Sequence, residues 1–413
     1  MKSNTYDLLV LGAGPAGLAA GIYGARSLLK VGIVDKGTPG GQIATTNEVE
    51  NFPGFGRGTT GPQIVLALYN HAEQMGAEFI RDEVKAINLD GTMKELIGNS
   101  GQYTAKSIIL APGAEPKLLG VPGELELRGK GVSYCATCDA EFFRGMEVLV
   151  VGSGDAAIEE ANYLTRFASK VTVVVKHEEG QVDANAIAFE KAKANKKINW
   201  IWHTVVDTIN GQHKVESVTL RNLKSGATRK LSTSAVFILI GTDPKTSLFK
   251  GLLQLDEKGY IVTDEKMQTS IEGVYACGDA RTKYLRQVVT AVSDGAIAAV
   301  AAGHYLNESE FFNREVLQIK DMVVVGYYRP DNEESLTVLS EVEHWLNEHS
   351  QVRLVRIDAS RNELLTRRYQ IKSVPMFHVF WRGHLIKTIV GHINQSELDQ
   401  LLKSRTTDAL AAK

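Results

Sequence analysis

Two cysteines separated by two residues, Cys135 and Cys138, are the side chains in this chain best suited to do chemistry. The sequence holds 3 cysteines, the third being Cys277, and this small number excludes a framework of structural disulfides. A C-x-x-C pair can close a reversible disulfide or supply half of a zinc site. Because a structural zinc site needs about four ligands and no second C-x-x-C pair occurs, redox chemistry is the favoured interpretation.

An acidic residue, Asp139, follows the cysteine pair directly. A carboxyl group at this place can give a proton to a leaving thiolate. We expect the pair at the start of a helix, where the helix dipole favours the thiolate form of an exposed cysteine. The alternative for Cys135 and Cys138 is a pair of buried, reduced cysteines. Cys277 lies in an apolar run and is expected to be a small buried side chain.

A glycine-rich turn, Gly12-Ala-Gly-Pro-Ala-Gly17, lies between a predicted strand at residues 6–11 and an alanine-rich helix that ends near Ser27. Glycines permit a tight turn and let the backbone approach a pyrophosphate, which the helix N-terminus attracts. Asp35 ends the next strand, where a carboxylate can accept a hydrogen bond from a ribose hydroxyl. We predict a dinucleotide site, rather than a turn without ligand, formed by Gly12, Gly14, Pro15, Ala16, Gly17 and Asp35.

A second turn of the same kind, Gly152-Ser-Gly-Asp-Ala-Ala157, follows a predicted strand at residues 147–151 and begins a helix that ends near Arg166. It predicts a second dinucleotide site with Gly152, Gly154 and Ala157 in the turn. The next strand ends at Val175 instead of an acid. Lys176 and His177 could contact a 2′-phosphate, although two glutamates follow them; the alternative is a solvated loop.

The repeated strand, glycine turn and helix indicate two doubly wound α/β domains. The apolar segment 273–279, followed by a small-residue helix at 287–303, is interpreted as a return to the first domain. We therefore predict one domain at residues 1–116 and 248–305, and a second domain at 117–247 that is inserted in the first and carries the cysteine pair. Residues 306–317 are predicted to be a linker because they are polar and charged.

The segment after the linker, residues 318–413, shows a separate pattern of strands and helices. We predict strands at 322–326, 352–358, 376–381 and 384–390, with helices at 333–348 and 395–402. Together with the two repeats, this gives an α/β fold class with a third, C-terminal domain.

The composition excludes several functional classes. The chain has 413 residues, of which 46 are basic and 48 are acidic, so no global field favours nucleic acid or an anionic membrane. We recognise no apolar run of about 18 residues, which a membrane span requires. The N-terminal apolar run is too short for a signal sequence, and the cytoplasm is the expected location.

These motifs resemble the low-molecular-weight thioredoxin reductases over roughly residues 5–305. Cys135-Ala-Thr-Cys138-Asp139 looks like the redox box of that family, and the first glycine turn looks like its FAD loop. The family usually has A-T-G-A where this chain has Ala111-Pro-Gly113-Ala, and Pro112 is a departure. Other segments similar to its flavin-contacting motifs contain Gly41, Gln42, Asn51, Gly278, Asp279, Arg286, Gln287 and Val288.

The resemblance implies an FAD-dependent homodimer that reduces a protein disulfide such as that of thioredoxin. Cys138 would lie against the flavin, Cys135 would attack the partner disulfide, and Asp139 would be the general acid. The inserted domain would rotate, so that the pair faces the flavin in one state and solvent in the other.

Two departures from the family matter. NADPH-dependent members carry H-R-R-x-x-x-R after the second-domain strand, whereas this chain has Val175, Lys176, His177 and then Gln181. Planar guanidinium groups that bind a 2′-phosphate are therefore missing. The donor is left open between NADPH, NADH, ferredoxin and a second flavin in the nicotinamide position.

The second departure is the tail, which resembles thioredoxin, with Val374-Pro375 similar to its cis-proline turn. Its W-C-x-x-C position instead contains Asp331, Asn332 and Ser335, which cannot form a disulfide. Docking, dimer contact or target selection are its expected roles, with a degenerate appendage as the alternative. Two functional alternatives follow: a disulfide oxidoreductase with a target other than thioredoxin, and a flavin-bound redox sensor without turnover.

Overall fold

The computed structural model describes residues 4–411 apart from positions 47, 57, 347, 348 and 350, with side chains as far as position 404. The chain divides into two compact units, Met1–Val300 and Ala301–Lys413. Each unit is an α/β structure, which confirms the predicted fold class. The first unit contains both glycine turns and the cysteine pair.

The first part of this unit begins with the strand, helix and strand that the glycine turn predicts, and it continues with a second helix and five consecutive strands. Its elements are β1 (Thr5–Leu11), α1 (Pro15–Arg26), β2 (Val31–Asp35), α2 (Gly61–Gln74), β3 (Glu78–Arg81), β4 (Val84–Asn88), β5 (Lys94–Gly98), β6 (Gln102–Leu110) and β7 (Ala114–Pro116). Helix α2 begins with a capping box between Thr60 and Gln63, which satisfies free N–H groups at the helix start.

The rest of the unit repeats this pattern and then returns to the first sheet. Its elements are β8 (Val132–Ser133), α3 (Ala136–Asp139), β9 (Glu147–Val151), α4 (Asp155–Leu164), β10 (Lys170–Val174), α5 (Ala186–Lys193), β11 (Ile198–Ile201), β12 (Thr204–Asn210), β13 (Ser217–Asn222), β14 (Thr228–Ser232), β15 (Ala235–Ile238), β16 (Thr242–Pro244), β17 (Val274–Ala276) and α6 (Val288–Phe312).

The first sheet has the strand order β3-β2-β1-β6-β5-β4, and β17 pairs with β6. Strand β17 is parallel to β6, with Val274 opposite Ile108 and Ala276 opposite Leu110. Because β17 follows the second nucleotide fold in sequence, the chain returns to its first sheet as the pattern predicts. Strands β1 and β6 each contain a buried run of Leu, Ile or Val, at residues 8–10 and 108–110, as expected of parallel strands covered on both faces.

The second sheet has the order β11-β10-β9-β15-β8. Strands β9, β10 and β15 are parallel and supply its buried core, in which Val150 and Phe237 have no exposed surface. Strands β12, β13 and β14 form an antiparallel sheet beside it, and β7 pairs with β16. This sheet places the second glycine turn after β9 and the cysteine pair after β8.

Helix α6 lies directly on α1 of the first nucleotide fold. A Cβ atom at Gly295 would overlap the carbonyl oxygen of Ala16, so the two helices approach at a contact that only glycine permits. Several small residues of α6, including Ala298 and Ala299, are fully buried. Close packing therefore depends on the small residues that the sequence pattern shows.

The same helix is relevant to membrane association. Among the described residues, the helical stretch Val288–Leu317 is long and apolar enough to cross a membrane, with a mean hydropathy of 1.2. We did not expect such a stretch from the sequence, because polar residues interrupt the alanines. A single helix of this kind is weak evidence for a span, since core helices meet the same criteria, and 39% of its apolar window is buried.

Replacing Gly295 with Ala should destabilise the first unit. The added methyl group must displace the backbone of α1, an overpacking that costs about 1–3 kcal/mol. Thermal unfolding followed by flavin fluorescence should show a lower melting temperature. The matched control is Gly303→Ala in the same helix, where a Cβ atom meets nothing within 4 Å and Ala should stabilise the helix by about 0.5–1 kcal/mol. Equal effects of the two variants would contradict the packing argument.

The second unit forms a sheet in the order β19-β18-β20-β21. Its elements are β18 (Met322–Tyr328), α7 (Glu333–Leu346), β19 (Val352–Asp358), α8 (Glu363–Arg368), β20 (Met376–Trp381), β21 (His384–Val390) and α9 (Gln395–Ala411). Strands β19, β20 and β21 have the predicted bounds. The peptide bond between Val374 and Pro375 is cis, as the resemblance to thioredoxin implies. Positions 347 and 348, predicted at the end of a helix, lie outside the described residues.

The segment predicted as a linker is helical. Residues 306–312 continue α6, and Asn313–Leu317 form a π-helical turn. Phe312 and Val316, four residues apart, are fully buried against β18 and β20 residues of the second unit. The polar composition suggested a linker, but these apolar side chains at helical spacing anchor the segment in a core.

Candidate active site

The cysteine pair forms a disulfide between Cys135 and Cys138, with 5.3 Å between their Cα atoms. Cys135 precedes the short helix α3, and Cys138 lies within it. Both side chains are partly buried. Cys277 is fully buried, and burial raises the pKa of its thiol, as expected for an unreactive cysteine. The structure therefore separates a redox pair from a structural cysteine.

A glutamine from the first nucleotide fold covers the disulfide. Gln287 Nε2 lies 3.6 Å from Cys135 Sγ and 3.8 Å from Cys138 Sγ, and it donates a hydrogen bond to Thr137 Oγ1 at 3.2 Å. Asn51 Nδ2 in turn donates to Gln287 Oε1 at 3.0 Å. Asn51 and Gln287 were both predicted as flavin-contacting residues. The fold thus brings the redox pair to the segments predicted to hold the flavin.

Asp139, which directly follows Cys138, is partly buried and is hydrogen-bonded to Ser133. Ser133 Oγ donates to Asp139 Oδ2 at 2.5 Å, and the backbone N–H of Cys135 donates to Ser133 Oγ at 3.2 Å. Burial raises the pKa of the Asp139 carboxyl, and the hydrogen bond from Ser133 opposes this effect. The proton is therefore held more tightly on Asp139 than on an exposed aspartate, which suits a general acid.

A second partly buried acid, Glu160, contacts the redox turn from α4. Its Oε2 accepts a hydrogen bond from the backbone N–H of Ala136 at 2.7 Å. Burial raises the pKa of Glu160, although this hydrogen bond lowers it. We did not select Glu160 or Ser133 from the sequence, because neither lies in a recognisable motif. The available signal was an acidic residue at helical spacing from the buried Ala157 and Leu164 of α4.

The first glycine turn has the geometry of a dinucleotide loop. Asp35 Oδ2 accepts from the backbone N–H of Ala13 at 2.7 Å, so the acid at the end of β2 lies on the loop. Gly12 has a φ of 107°, and a Cβ atom there would overlap the carbonyl oxygen of Ala111. At Gly14, just before α1, a Cβ atom meets nothing within 4 Å, which leaves room for a pyrophosphate.

A buried carboxyl oxygen in the first nucleotide fold can also accept a hydrogen bond from a cofactor hydroxyl. Asp279 Oδ1 is buried and, among the described residues, has no hydrogen-bond partner. Burial raises the pKa of Asp279. A buried carboxyl oxygen of this kind normally has a donor, and a ribityl hydroxyl of FAD would supply one. The residues present therefore fit FAD.

The remaining residues that were predicted to contact the flavin lie around the first glycine turn and the turn that carries Asp279. Gln42 donates to the carbonyl of Ala114, the N–H of Gly278 donates to Asp294, and the Arg286 guanidinium lies over the Tyr260 ring. Pro15, Ala16 and Gly17 are in the first turn of α1, and Val288 begins α6. The other positions are Gly41 after β2, and Ala111 and Gly113 after β6.

Asp294, which we did not select from the sequence, forms ion pairs and a backbone hydrogen bond next to the turn that carries Asp279. Its carboxylate contacts Lys283 Nζ at 2.7 Å and Arg281 at 3.7 Å, with all three side chains largely buried. The carboxylate also accepts the N–H of Gly278 at 3.1 Å. It thereby fixes the turn that carries Asp279.

Replacing Asp279 with Ala should weaken FAD binding. Loss of a hydrogen bond to a buried carboxyl costs about 1.5–3 kcal/mol, which is roughly a tenfold to hundredfold rise in the dissociation constant. Flavin content and FAD titration of the apoprotein would measure it. Asp90→Ala, which removes an exposed acid from the same domain, is the control and should keep normal affinity. Unchanged FAD affinity in the Asp279 variant would show that this carboxyl does not contact the cofactor.

The second glycine turn has a different acid beside it. Gly152 and Gly154 lie between β9 and α4, and Ala157 is fully buried in the first turn of α4. His177 Nε2 lies 3.0 Å from Asp183 Oδ2. Lys176 is exposed and Val175 is buried. The structure places both predicted basic residues near this turn, with His177 already paired to a carboxylate.

Two nucleotide folds joined around a partly buried disulfide define the class of a flavin-dependent disulfide oxidoreductase. Residues 6–295 match the family model described as pyridine nucleotide-disulphide oxidoreductase. This chain belongs to that family, and its redox pair, FAD loop and fold make it a thioredoxin-reductase-like enzyme. Residues 304–404 match the model described as thioredoxin.

Relatives of known name support this assignment. A thioredoxin reductase from Peptoclostridium acidaminophilum is 48% identical over 309 residues, which cover 73% of this chain and 98% of the relative. The crystal structure of thioredoxin reductase from Streptococcus pyogenes aligns with a TM-score of 0.70 at 45% identity, over 74% of this chain and 99% of that one. Lactococcus lactis thioredoxin reductase, described as the FR conformation, has a TM-score of 0.52 at 41% identity, over 73% and 99%.

In the thioredoxin-like unit, the two residues predicted to occupy the positions of the thioredoxin redox pair form a helix cap. Asn332 Oδ1 accepts from the backbone N–H of Ser335 at 2.7 Å, and Ser335 Oγ donates to the carbonyl of Asn332 at 2.8 Å. Since the sequence has no cysteine after Cys277, this unit has no thiol to exchange. Asn332 and Ser335 instead stabilise the start of α7.

Proposed function

We propose that this enzyme passes electrons from FAD to the Cys135–Cys138 disulfide and then to a protein disulfide such as that of thioredoxin. The observation that carries the proposal is the position of the disulfide. It lies under Gln287, which is bonded to Asn51, within the region predicted to bind flavin. Bound FAD would supply two-electron chemistry at this place.

The residues around the disulfide have distinct roles in this proposal. Reduction of the bond consumes two electrons and two protons, and it leaves Cys135 and Cys138 as thiols. Asp139, whose pKa is raised by burial, supplies a proton to the departing sulfur. Ser133 holds the carboxyl in place. Cys135 is the sulfur that attacks the partner disulfide, and Cys138 is the one that faces the flavin.

The partner disulfide needs access that this arrangement does not give. Gln287 covers both sulfur atoms, and both cysteines are partly buried. We propose that the inserted nucleotide fold rotates to bring the pair to the surface. In support, the Lactococcus lactis enzyme, described as the FR conformation, aligns with a much lower TM-score than the Streptococcus pyogenes enzyme at similar identity.

The donor is proposed to be a nicotinamide nucleotide bound at the second glycine turn, with ferredoxin or a second flavin as alternatives. The turn Gly152–Ala157 and the start of α4 are intact, which supports nucleotide binding. The missing arginine box weakens the case for NADPH. By the same resemblance we propose a homodimer located in the cytoplasm.

A target other than thioredoxin is the second candidate function. It is favoured by the tail, whose Asn332 and Ser335 form a helix cap at the thioredoxin redox position. A thioredoxin-like unit without thiols can dock targets or occlude them, but it cannot relay electrons. Parallel assays with thioredoxin, a peroxiredoxin-like protein and a small disulfide would discriminate between targets, since only the true target should turn over rapidly.

The experiment that tests the proposed function measures flavin and thiols together. The purified full chain, supplied with FAD, should show a flavin absorbance spectrum. Anaerobic addition of dithionite should then produce two additional titratable thiols per chain as the Cys135–Cys138 bond is reduced. A colourless protein after FAD is supplied, or a reduced flavin without new thiols, would refute the proposal. A protein that passes this test but that no donor reduces would be a redox sensor.

A further inference from the structure

The two glycine turns of this chain can be compared position by position, because they are internal repeats. In the first, the middle residue Ala13 donates its N–H to Asp35 Oδ2 at 2.7 Å. Asp35 is the last residue of β2. An acid at the end of this strand accepts a hydrogen bond from a ribose 2′-hydroxyl in dinucleotide folds.

At the second glycine turn, the carboxylate that contacts the loop does not come from the end of the next strand. Ser153 holds the same loop position as Ala13, and Ser153 Oγ donates to Asp183 Oδ2 at 2.7 Å. The backbone N–H of Asp183 also donates to the carbonyl of Ser153 at 2.9 Å. The residue after β10 is Val175, which is buried and has no polar side chain. A carboxylate therefore contacts the middle residue of each glycine turn. Asp35 comes from the end of β2, whereas Asp183 comes from the loop before α5.

The Asp183 carboxylate is ionised and accessible. The hydrogen bond from Ser153, followed by that from His177, lowers the pKa of Asp183 below its ordinary value. The side chain is 63% exposed, so a ligand can approach it. Because solvent screens an exposed charge, its effect on a nearby anion is moderate rather than absolute.

The basic groups near this loop are mostly committed to carboxylates. His177 lies against Asp183, and Lys224 Nζ lies 3.0 Å from Glu178 Oε1. His203 also contacts Glu178, at 3.6 Å. Lys176 is exposed and lies close enough to lower the pKa of Asp183. Of the described groups named here, a 2′-phosphate would therefore meet the anionic Asp183 and Lys176, and none of them is a guanidinium.

We propose that the second nucleotide site selects a dinucleotide with an unmodified adenosine ribose, of the NADH class, and that Asp183 is its specificity-determining residue. This inference rests on the proposed function, because it names the donor of that same redox centre. Asp183 would accept a hydrogen bond from the 2′-hydroxyl and repel a 2′-phosphate. From like-charge repulsion we expect a preference of about 10- to 100-fold.

Binding of fragments that cannot reduce flavin tests the inference directly. We would titrate the FAD-loaded full chain with ADP-ribose and with 2′-phospho-ADP-ribose by calorimetry. ADP-ribose should bind about 10- to 100-fold more tightly. Asp183→Asn keeps a group that can bond Ser153 but removes the charge, and it should reduce the preference to about threefold or less.

The matched control is Glu178→Gln, which removes an acid from the same loop region while leaving the Ser153–Asp183 contact intact. It should leave the preference nearly unchanged. If Glu178→Gln changes the preference as much as Asp183→Asn does, net charge rather than Asp183 decides, and the inference fails. Anaerobic stopped-flow reduction by NADH and NADPH gives a second readout, in which NADH should reduce the flavin faster.

The outcomes separate this inference from the proposed function. Equal binding of the two fragments, tighter binding of the phosphorylated one, or binding of neither would overturn the assignment of Asp183. The formation of thiols after dithionite reduction requires FAD but no nicotinamide nucleotide. That measurement can therefore succeed while the nucleotide inference fails, or fail while the nucleotide preference is found.

Discussion

Replacing Cys138 with Ser should abolish disulfide reduction while FAD stays bound. Without the second sulfur no Cys135–Cys138 bond can form, so turnover should fall by at least about 10³-fold, as with loss of other essential catalytic residues. The hydroxyl is close in size to the thiol, and the predicted FAD loop is elsewhere in the unit, so flavin absorbance should persist. Turnover is measured as reduction of thioredoxin or of another protein disulfide.

The matched control for this variant is Cys277→Ala. Cys277 is fully buried and free, and Ala is a small apolar replacement. Turnover should remain close to that of the unmodified chain. Substantial activity in the Cys138 variant would contradict a redox centre at this pair. Loss of activity in the Cys277 variant, with flavin retained, would require a role for the third thiol.

Replacing Asp139 with Asn should slow disulfide reduction by about 10²- to 10⁴-fold, the usual contribution of a general acid. The amide can still accept the hydrogen bond from Ser133, so the local structure should persist. Stopped-flow measurement of electron transfer to the disulfide would detect the change. Glu141→Gln is the control, because Glu141 is a nearby acid paired with Arg144, and it should react at the normal rate.

The pH dependence of the unmodified enzyme follows from the raised pKa of Asp139. The protonated acid is lost as the pH rises through this pKa, so the rate of disulfide reduction should fall on the alkaline side. In the Asn variant, this alkaline decrease of the rate should be absent.

The stability of the folded state changes with pH in the same direction as the rate. The native state binds this proton more tightly than the unfolded state, so stability declines as pH rises from the ordinary aspartate pKa through the raised one.

The Asn variant should therefore unfold at an equal or higher temperature near neutral pH while being far less active. This opposite movement of stability and rate distinguishes a catalytic acid from a structural one. A variant that loses activity and stability together would indicate that Asp139 mainly supports the fold. A variant with normal electron transfer would remove Asp139 from the mechanism.

Local patterns were sufficient for the strand, glycine turn and helix of each repeat and for most elements of the second unit. Strand β9 and three strands of the second unit have the predicted bounds, because alternating or continuous apolar residues between turn residues define them. The short helix α8 was not predicted, since six residues carry little periodicity. The linker at 306–317 was predicted from polar composition, and the buried Phe312 and Val316 decided otherwise.

The residues of the site divide in a similar way. Asp35 was predicted because it ends a strand at a fixed distance from a glycine turn. Asp183 has the corresponding contact in the second fold, yet it lies in a loop without periodicity or motif. Glu160 and Ser133 likewise contact the redox turn only because the chain folds back on itself. Motifs with a fixed spacing are visible in sequence, whereas contacts between distant segments are not.

The sequence by itself determined the chemistry that this protein can perform: a vicinal cysteine pair with an adjacent acid, two glycine turns, and a thioredoxin-like tail without thiols. These features depend on residue type and local spacing, which a linear pattern retains. Only the tertiary structure decided that Gln287 covers the disulfide, that Asp139 is partly buried, and that Asp183 lies on the second loop. Burial and long-range proximity arise from packing of the whole chain, and they shift the pKa values of carboxyl groups in ways that the residue order does not show.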